Sequence, residues 1–343
     1  MPVRGSTIRD VALLAGVAVG TASKAFNRKG TLSTETRKRV LEAAASLHYV
    51  PNALIRSLQQ RRTYTIGVLT WKIRASAARD ITLDLLKGIS EGVTEGECDT
   101  LLYSRRPERM ANITAATFLD GRIDGLIMGT NELDQSQLQA LVESTLPVVV
   151  LYQRDVPQGL GWVDVDNRTG IASAVDHLIA LGHRRIAFYA PFFTFNYSER
   201  EHGYRQALQR HGISPDPALC FIGTRQAPHA GEACKVLLTL PDPPTALIAG
   251  DDAAAFECIA ALEERGAHVP EAISVIGFDD VADAATSPGL TTIHHPAEQV
   301  GYTAARFVEQ IIQGAAPEDC RSIQPVQLVV RNSTAPPRLR TRT

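Results

Sequence analysis

From Thr65 onward the chain repeats one unit, a short run of Ile, Val and Leu followed by a longer amphipathic stretch. The runs are TIGVLT, DTLLYS, DGLIMGT, LPVVVLY, RRIAFYA, TALIAGD and AISVIGFDD. Each is apolar on successive residues, the pattern of a strand covered on both faces. Between them lie ITLDLLKGISEGVTEG, RMANITAATFLDG, LDQSQLQALVES, RTGIASAVDHLIALG, EREHGYRQALQRHG, AGEACKVLLTL and DAAAFECIAALEERG. These read as helices, several of them stopping at Gly. Strand and helix in alternation predict α/β architecture with parallel sheets. About 280 residues exceed one such layered unit, so two doubly wound lobes with a cleft between them are expected. In open sheets of this kind a ligand sits beyond the carboxyl ends of the strands.

The first 62 residues follow another pattern. They hold eleven Lys and Arg against three Asp and Glu, a net of +8, whereas the whole chain of 343 residues carries −2. A polyanion contact is therefore confined to this piece, and the acidic remainder should repel nucleic acid. Thr7 and Asp10 are spaced as a capping box, and Ile8, Val11, Ala12 and Ala15 form a helix face that Gly16 ends. After a tight turn, Ala22, Ala25 and Phe26 mark the buried side of a second helix, with Val19, Gly20, Ser23 and Lys24 outward. A third helix begins at Ser33 as N-cap, with Val40, Leu41, Ala44 and Leu47 inward and Arg37, Lys38 and Arg39 outward. The result is an all-α helix-turn-helix domain. A small-residue face on a cationic module suits a helix lying in the major groove, where bulky neighbours would block the base edges.

TIRDVALLAGVAVGTASKAFN followed by STETRKRVLEAAASLHYVPNALIRSLQQRRTYTIGVL resembles the lactose-repressor (LacI/GalR) family of bacterial transcription regulators, and the similarity runs along nearly the whole chain. It implies that Val19, Gly20 and Lys24 read bases, with Thr21, Ser23 and Asn27 on phosphates and Thr7 as a further DNA contact. Where the family often has Arg this chain has Lys24, which reaches guanine O6 and N7 without a rigid bidentate fork. Ala18 stands where the family usually supplies a Ser N-cap, so Ala18→Ser should raise the melting temperature, by about 1 kcal/mol of stability. VPNALIRSLQQRRT is, on its residues, either a charged linker or a short amphipathic segment starting at Pro51 that is too short to hold helix alone. The resemblance implies a hinge helix that forms when two protomers meet on DNA, with Asn52 among the DNA contacts, Ile55 close to the minor-groove floor and Leu58 as the wedge.

By the same resemblance, the large domain is periplasmic-binding-protein-like. The expected division is 1–50 for the helix-turn-helix domain, 51–62 for the hinge, 63–335 for the effector-binding domain and 336–343 for a flexible tail. One lobe takes 63–163 and 293–324, the other 164–292 and 325–335. Strand ends offer Trp71, Tyr152, Gln153, the loop PFFTFNYSER, Asp251, Asp252, Asp279 and Asp280. Aromatics with carboxylates and an Arg suit a sugar, whose C–H faces stack on rings while its hydroxyls pair with charged groups. The resemblance places effector contacts at Arg200, Asp279 and Asp251, the last where the family has Asn, and puts Gln226 where relatives carry a stacking aromatic. Trp71, Tyr152 and Phe193 complete the expected lining. Asp252 and Asp280 read instead as capping or lobe-orienting groups, and Phe192, Phe193 and Phe195 as packing between lobes or as pocket wall.

Catalysis and cofactors find no support. GISEG, residues 88–92, matches G-x-S-x-G but lies in an amphipathic helix rather than on a strand-to-helix elbow. His294 and His295 are adjacent on extended chain, so their side chains diverge, and the five Cys have no metal-ligand spacing. There is neither a Walker A nor a dinucleotide fingerprint, and no apolar run long enough for a membrane span. The expectation is a cytoplasmic, nucleoid-associated, homodimeric regulator, a repressor of a pseudo-palindromic operator, with double-stranded DNA and a small sugar effector as partners and no metal, cofactor or membrane. Control by a nucleobase or a protein corepressor is the alternative within the family; a sugar-binding receptor or an enzyme on the same two lobes lies outside it.

Overall fold

The computed structural model describes residues 6–26, 32–50, 62–70, 81–103, 114–129, 134–224, 229–285 and 289–338. The chain divides into two compact units, Met1–Tyr64 and Thr65–Thr343. In the first, α1 (Ile8–Leu14), α2 (Val19–Phe26) and α3 (Thr34–Ser46) enclose a core of Val11, Ala12, Ala15, Ala22, Ala25, Val40, Ala43 and Ala44. Six of these eight are alanines, and Ile8, Val17, Phe26, Leu32, Leu47 and Tyr49 pack against them from the rim. The carboxylate of Asp10 accepts from the N–H and hydroxyl of Thr7 at 2.8 and 2.7 Å, and Gly16 makes the turn at φ +63°. Ser33 caps α3 by accepting from the N–H of Thr36. Ala18 precedes α2 and accepts from the N–H groups of Thr21 and Ala22 through its carbonyl, and its methyl side chain has no oxygen to offer as a cap.

Two expectations for α3 need correction. Leu41 is 44% exposed, and Ala43 takes the inward place, because buried positions recur three and four residues from Val40 and Leu41 lies about 100° round the helix. Arg37 is not simply outward: its guanidinium donates to the carbonyl of Ala25 at 2.9 Å and closes the carboxyl end of α2.

The second unit runs β1 (Thr65–Thr70), α4 (Thr82–Glu95), β2 (Asp99–Tyr103), β3 (Gly125–Gly129), α5 (Gln135–Glu143), β4 (Val148–Leu151), β5 (Gly161–Val165), α6 (Asn167–Ala180) and β6 (Ile186–Ala190). It continues with α7 (Phe195–Arg210), β7 (Cys220–Ile222), α8 (Ala230–Thr239), β8 (Ala246–Ala249), α9 (Asp252–Glu263), β9 (Ser274–Asp279) and β10 (Thr291–His294), then α10 (Ala297–Ile312), β11 (Arg321–Gln324) and β12 (Gln327–Val329). Six strands form one sheet in the order β11-β5-β4-β3-β1-β2, all pairs parallel. The other sheet runs β12-β10-β9-β8-β6-β7, parallel except where β12 meets β10. Two doubly wound lobes follow, as the alternation predicted.

All seven apolar runs are strands. Those inside the sheets are buried along their length, but β2 is an edge strand with most residues exposed, so DTLLYS is not covered on both faces. The expected helix over 109–121 is reduced, in its described part, to one 3-10 turn, Ala115–Thr117. The stretch PFFTFNYSER is loop only as far as Thr194, whose side chain caps α7, so Arg200 lies on a helix. The chain crosses between sheets three times, after β5, after β10 and between β11 and β12. Since β5 reaches Val165 in the first sheet and β10 holds 291–294 in the second, the expected borders at 163/164 and 292/293 fall inside strands.

GISEG lies within α4, as read, and its glycines have a packing reason. A Cβ on Gly88 would stand 1.8 Å from the carbonyl oxygen of Glu298 on α10, and one on Gly301 would stand 2.2 Å from that of Leu85 on α4. The two backbones touch, and only glycine permits it. Among the described residues no helix is long and apolar enough to cross a membrane.

Candidate functional site

Two sites emerge, one in each unit. On α2, Val19, Gly20 and Lys24 are exposed, Thr21 and Ser23 half-buried, and Ala22 and Ala25 fully turned into the core. Gly20 and Lys24 lie one turn apart on the same face. A Cβ on Gly20 would meet nothing within 4 Å, so the glycine serves no packing inside its unit and leaves the outer face low. No acid stands in the first turn of α2, so the amino end keeps its positive character for a phosphate. Thr7 is exposed at the start of α1 with its hydroxyl on Asp10. Asn27, Asn52, Ile55 and Leu58 lie outside the described residues, as do Trp71 and Gln226 of the expected ligand lining.

The second site lies where the carboxyl ends of the two sheets meet. Its centre is Arg200, 4% exposed, on α7. Nε donates to Asn167 Oδ1 at 2.7 Å and Nη1 to the carbonyl of Gly250 at 2.5 Å, while Nη2 stands 4.0 Å from Asp279 Oδ1. The guanidinium carbon lies 3.5 Å from the centroid of the Phe278 ring. Asp279 and its neighbour Asp280 both have positive φ, +123° and +57°, a backbone that costs about 1 kcal/mol or more per residue. An ion pair from Arg331 at 2.6 Å and a hydrogen bond with His294 Nδ1 at 3.0 Å hold Asp280 there. Asp280 thus orients the loop carrying Asp279.

Asp251 has a double task. One carboxylate oxygen accepts from the N–H of Ala254 at 2.6 Å as N-cap of α9, and the other takes the hydroxyl of Tyr197. The capping role expected of Asp252 belongs to Asp251. Asp252 is instead fully buried, accepting from the N–H of Val281 at 3.0 Å and the hydroxyl of Thr292 at 2.5 Å. Burial lifts its carboxyl to about 7, against those two hydrogen bonds. Burial first, then the adjacent Asp251, raises the Tyr197 hydroxyl well above its ordinary value, so it remains a donor.

Tyr152, buried at φ +62°, stands edge-on to the imidazole of His295, 5.2 Å between centroids. Phe193 is 71% exposed and joins none of these groups. The residue reading missed His295, Asn167, Tyr197, Arg154, Asp164 and Glu199. His295 is buried, and desolvation with Arg200 nearby pushes its imidazole down to about 3, so it is neutral at physiological pH. Its Nδ1 finds no hydrogen-bond partner among the described residues. His294 points to the other side, exposed and paired with Asp280, the divergence expected of neighbours on a strand. For Asp164 a signal existed: a lone acid inside the run WVDV, where it is now fully buried at about 6 because desolvation outweighs the Val165 N–H and Arg154.

Comparison with known proteins agrees with this division. Residues 7–52 match the model of bacterial regulatory proteins of the lacI family, and residues 175–334 match a periplasmic binding protein-like domain. The HTH-type transcriptional repressor PurR of Aliivibrio salmonicida is 31% identical over 317 residues, 90% of this chain and 92% of PurR. The chain belongs to the lacI family. Among solved structures, the lac repressor dimer bound to operator and the anti-inducer ONPF superposes with a TM-score of 0.81 at 26% identity, covering 97% of this lacI-family chain and 100% of the other. A complex of the transcriptional regulator CelR with cellobiose gives 0.70 at 29% identity, covering 96% and 99%. This lacI-family member is a DNA-binding transcriptional regulator with a two-lobed α/β domain, not an enzyme.

Proposed function

We propose that the protein is a homodimeric repressor whose two recognition helices grip a pseudo-palindromic operator in the bacterial cytoplasm, on the nucleoid, and whose DNA affinity is set by a sugar in the cleft. Val19, Gly20 and Lys24 read base edges, Thr21, Ser23 and Asn27 hold phosphates, Thr7 is a further DNA contact, and Asn52, Ile55 and Leu58 belong to a hinge that inserts Leu58 in the minor groove. Arg200 and Asp279, with Asp251, Tyr152, Phe193, Trp71 and Gln226, form the effector lining. The observation carrying the ligand reading is Arg200 itself: a buried guanidinium stacked on Phe278, with Nη2 at 4.0 Å from its nearest carboxylate and so open to a hydroxyl pair. The cellobiose complex of CelR supports a sugar over other ligands. Closing the lobes on a ligand changes the spacing of the two DNA-binding units, and marginal hinge helices form or melt accordingly.

The test is titration of an operator, selected from a random duplex pool, at fixed ionic strength and with a panel of sugars. A dimer should hold the selected duplex about a thousandfold or more tighter than random DNA, and an active sugar should shift that affinity by about tenfold or more. Lys24→Ala should relax base preference, and Leu58→Ala should weaken the selected duplex far more than random DNA. A monomer gripping both duplexes alike sinks the repressor reading; nucleobases acting where no sugar does sink the sugar.

A further inference from the structure

Beyond the ligand contacts, a set of charges joins the two lobes. Arg154 leaves the carboxyl end of β4 in the first lobe, and its Nε stands 2.9 Å from Asp164 Oδ2 on β5 of the same lobe. Its Nη2 donates to Glu199 Oε2 on α7 of the second lobe. Glu199 is in turn held by Arg168 of α6, whose Nε and Nη2 donate at 3.0 and 2.8 Å. The guanidinium of Arg154 also lies 5.7 Å from the ring centroid of Phe195, on the first turn of α7. The Glu199 side chain is only 12% exposed, so the pair is poorly screened and is not an ordinary surface ion pair.

Each end of this bridge is fastened within its own lobe. If Arg154 lets go, Arg168 still grips Glu199 with two parallel hydrogen bonds; if Glu199 lets go, Asp164 still holds Arg154. The Arg154–Glu199 contact is therefore the part that breaks when the lobes separate. Both arms of the network also reach the ligand arginine. Glu199 is its neighbour on α7, and Asp164 Oδ1 accepts from Asn167 Nδ2 at 3.3 Å, whose Oδ1 takes Arg200 Nε.

We propose that Arg154 and Glu199 form an interlobe latch, in which Asp164 and Arg168 are positioning residues and whose breaking is the first step of lobe opening. The latch needs no knowledge of the ligand, and its test uses neither ligand nor DNA. Full-length protein, wild type and carrying Arg154→Met, Glu199→Gln, both, or Arg154→Lys, is followed by amide hydrogen exchange in peptides covering 148–165 and 195–204. A latch transmits its loss across the cleft. Arg154→Met should speed exchange about tenfold in the first turns of α7, and the isosteric Glu199→Gln should do the same around 152–157. The double variant should exchange no faster than the quicker single, and Arg154→Lys, which keeps the charge but not the fork, should fall between wild type and Met. Exchange that rises only in the substituted lobe, or a double variant whose effect is the product of the two singles, overturns the latch.

Discussion

Beside the first lobe, where α4 and α10 press backbone to backbone through Gly88 and Gly301, the second lobe is fastened by buried polar side chains. Asp252 ties α9 to β10 and to the segment after β9. His183 reaches Thr245 at 2.9 Å and the carbonyl of Ala335 at 2.8 Å, and Ser333 joins the N–H of Thr291 to the carbonyl of Val275. Close contact between apolar helices is non-directional and indifferent to pH, whereas buried hydrogen bonds fix one geometry and penalise every other. The contrast suits a division of labour, with a firm frame on one side of the cleft and an oriented polar wall, centred on Arg200, on the other.

The contrast is broken or sharpened by substitutions at four positions. The largest loss is expected from Gly301→Val, whose new atoms would meet the Leu85 carbonyl and force α4 and α10 apart; the denaturant midpoint should fall by the equivalent of about 3 kcal/mol, and a near-native midpoint would show that the helices part freely. Asp252→Ala should cost about 2 kcal/mol, because the Val281 N–H and the Thr292 hydroxyl lose their acceptor. Because the folded state holds the Asp252 proton up to about 7 and the unfolded chain only to 3.8, the folded state binds more protons in that window, and this group's contribution falls as pH rises through it. Asp252→Asn should flatten that slope in thermal melts.

His295 acts in the opposite sense. Its imidazole is neutral in the folded state down to about 3 but protonates near 6.5 when unfolded, so acidification through that window should remove up to about 1.4 kcal/mol per pH unit. His295→Gln should abolish that part of the acid sensitivity; an unchanged acid limb in pH-dependent melts would show that the imidazole is not buried as described. The smallest effect is expected at Lys87, whose exposed 2.7 Å pair with Glu298 lies across the same two helices as Gly88. Lys87→Met should leave the melting midpoint unmoved at moderate salt, since solvent and ions screen the pair.

What the residues announced followed from how strongly each element is patterned. The three-helix unit and the seven apolar strands declare themselves because each buries a regular row of side chains. The strands Gly161–Val165 and Cys220–Ile222 do not: they are short, and the first has Asp164 next to its last residue. The helix Ala297–Ile312 has a clear row in Val300, Ala304 and Val308, yet Gly301 interrupts its apparent propensity, and the reason for that glycine lies more than 200 residues away in α4. At the candidate site, Arg200 and Asp279 were visible by resemblance, and the structure sets them 4.0 Å apart. Arg154, Asp164 and Glu199 were not, because their meaning is a meeting of distant segments and no local spacing encodes it.

That meeting of α4 with α10 bears on how the chain matures. The first lobe lacks its covering helix until residue 312 has been made, and its sixth strand until residue 324, by which time five strands of the second lobe already exist. During synthesis the later-encoded lobe therefore gains five of its strands before the first lobe can close, while the glycine-lined flank of α4 waits, uncovered, for a partner still inside the ribosome.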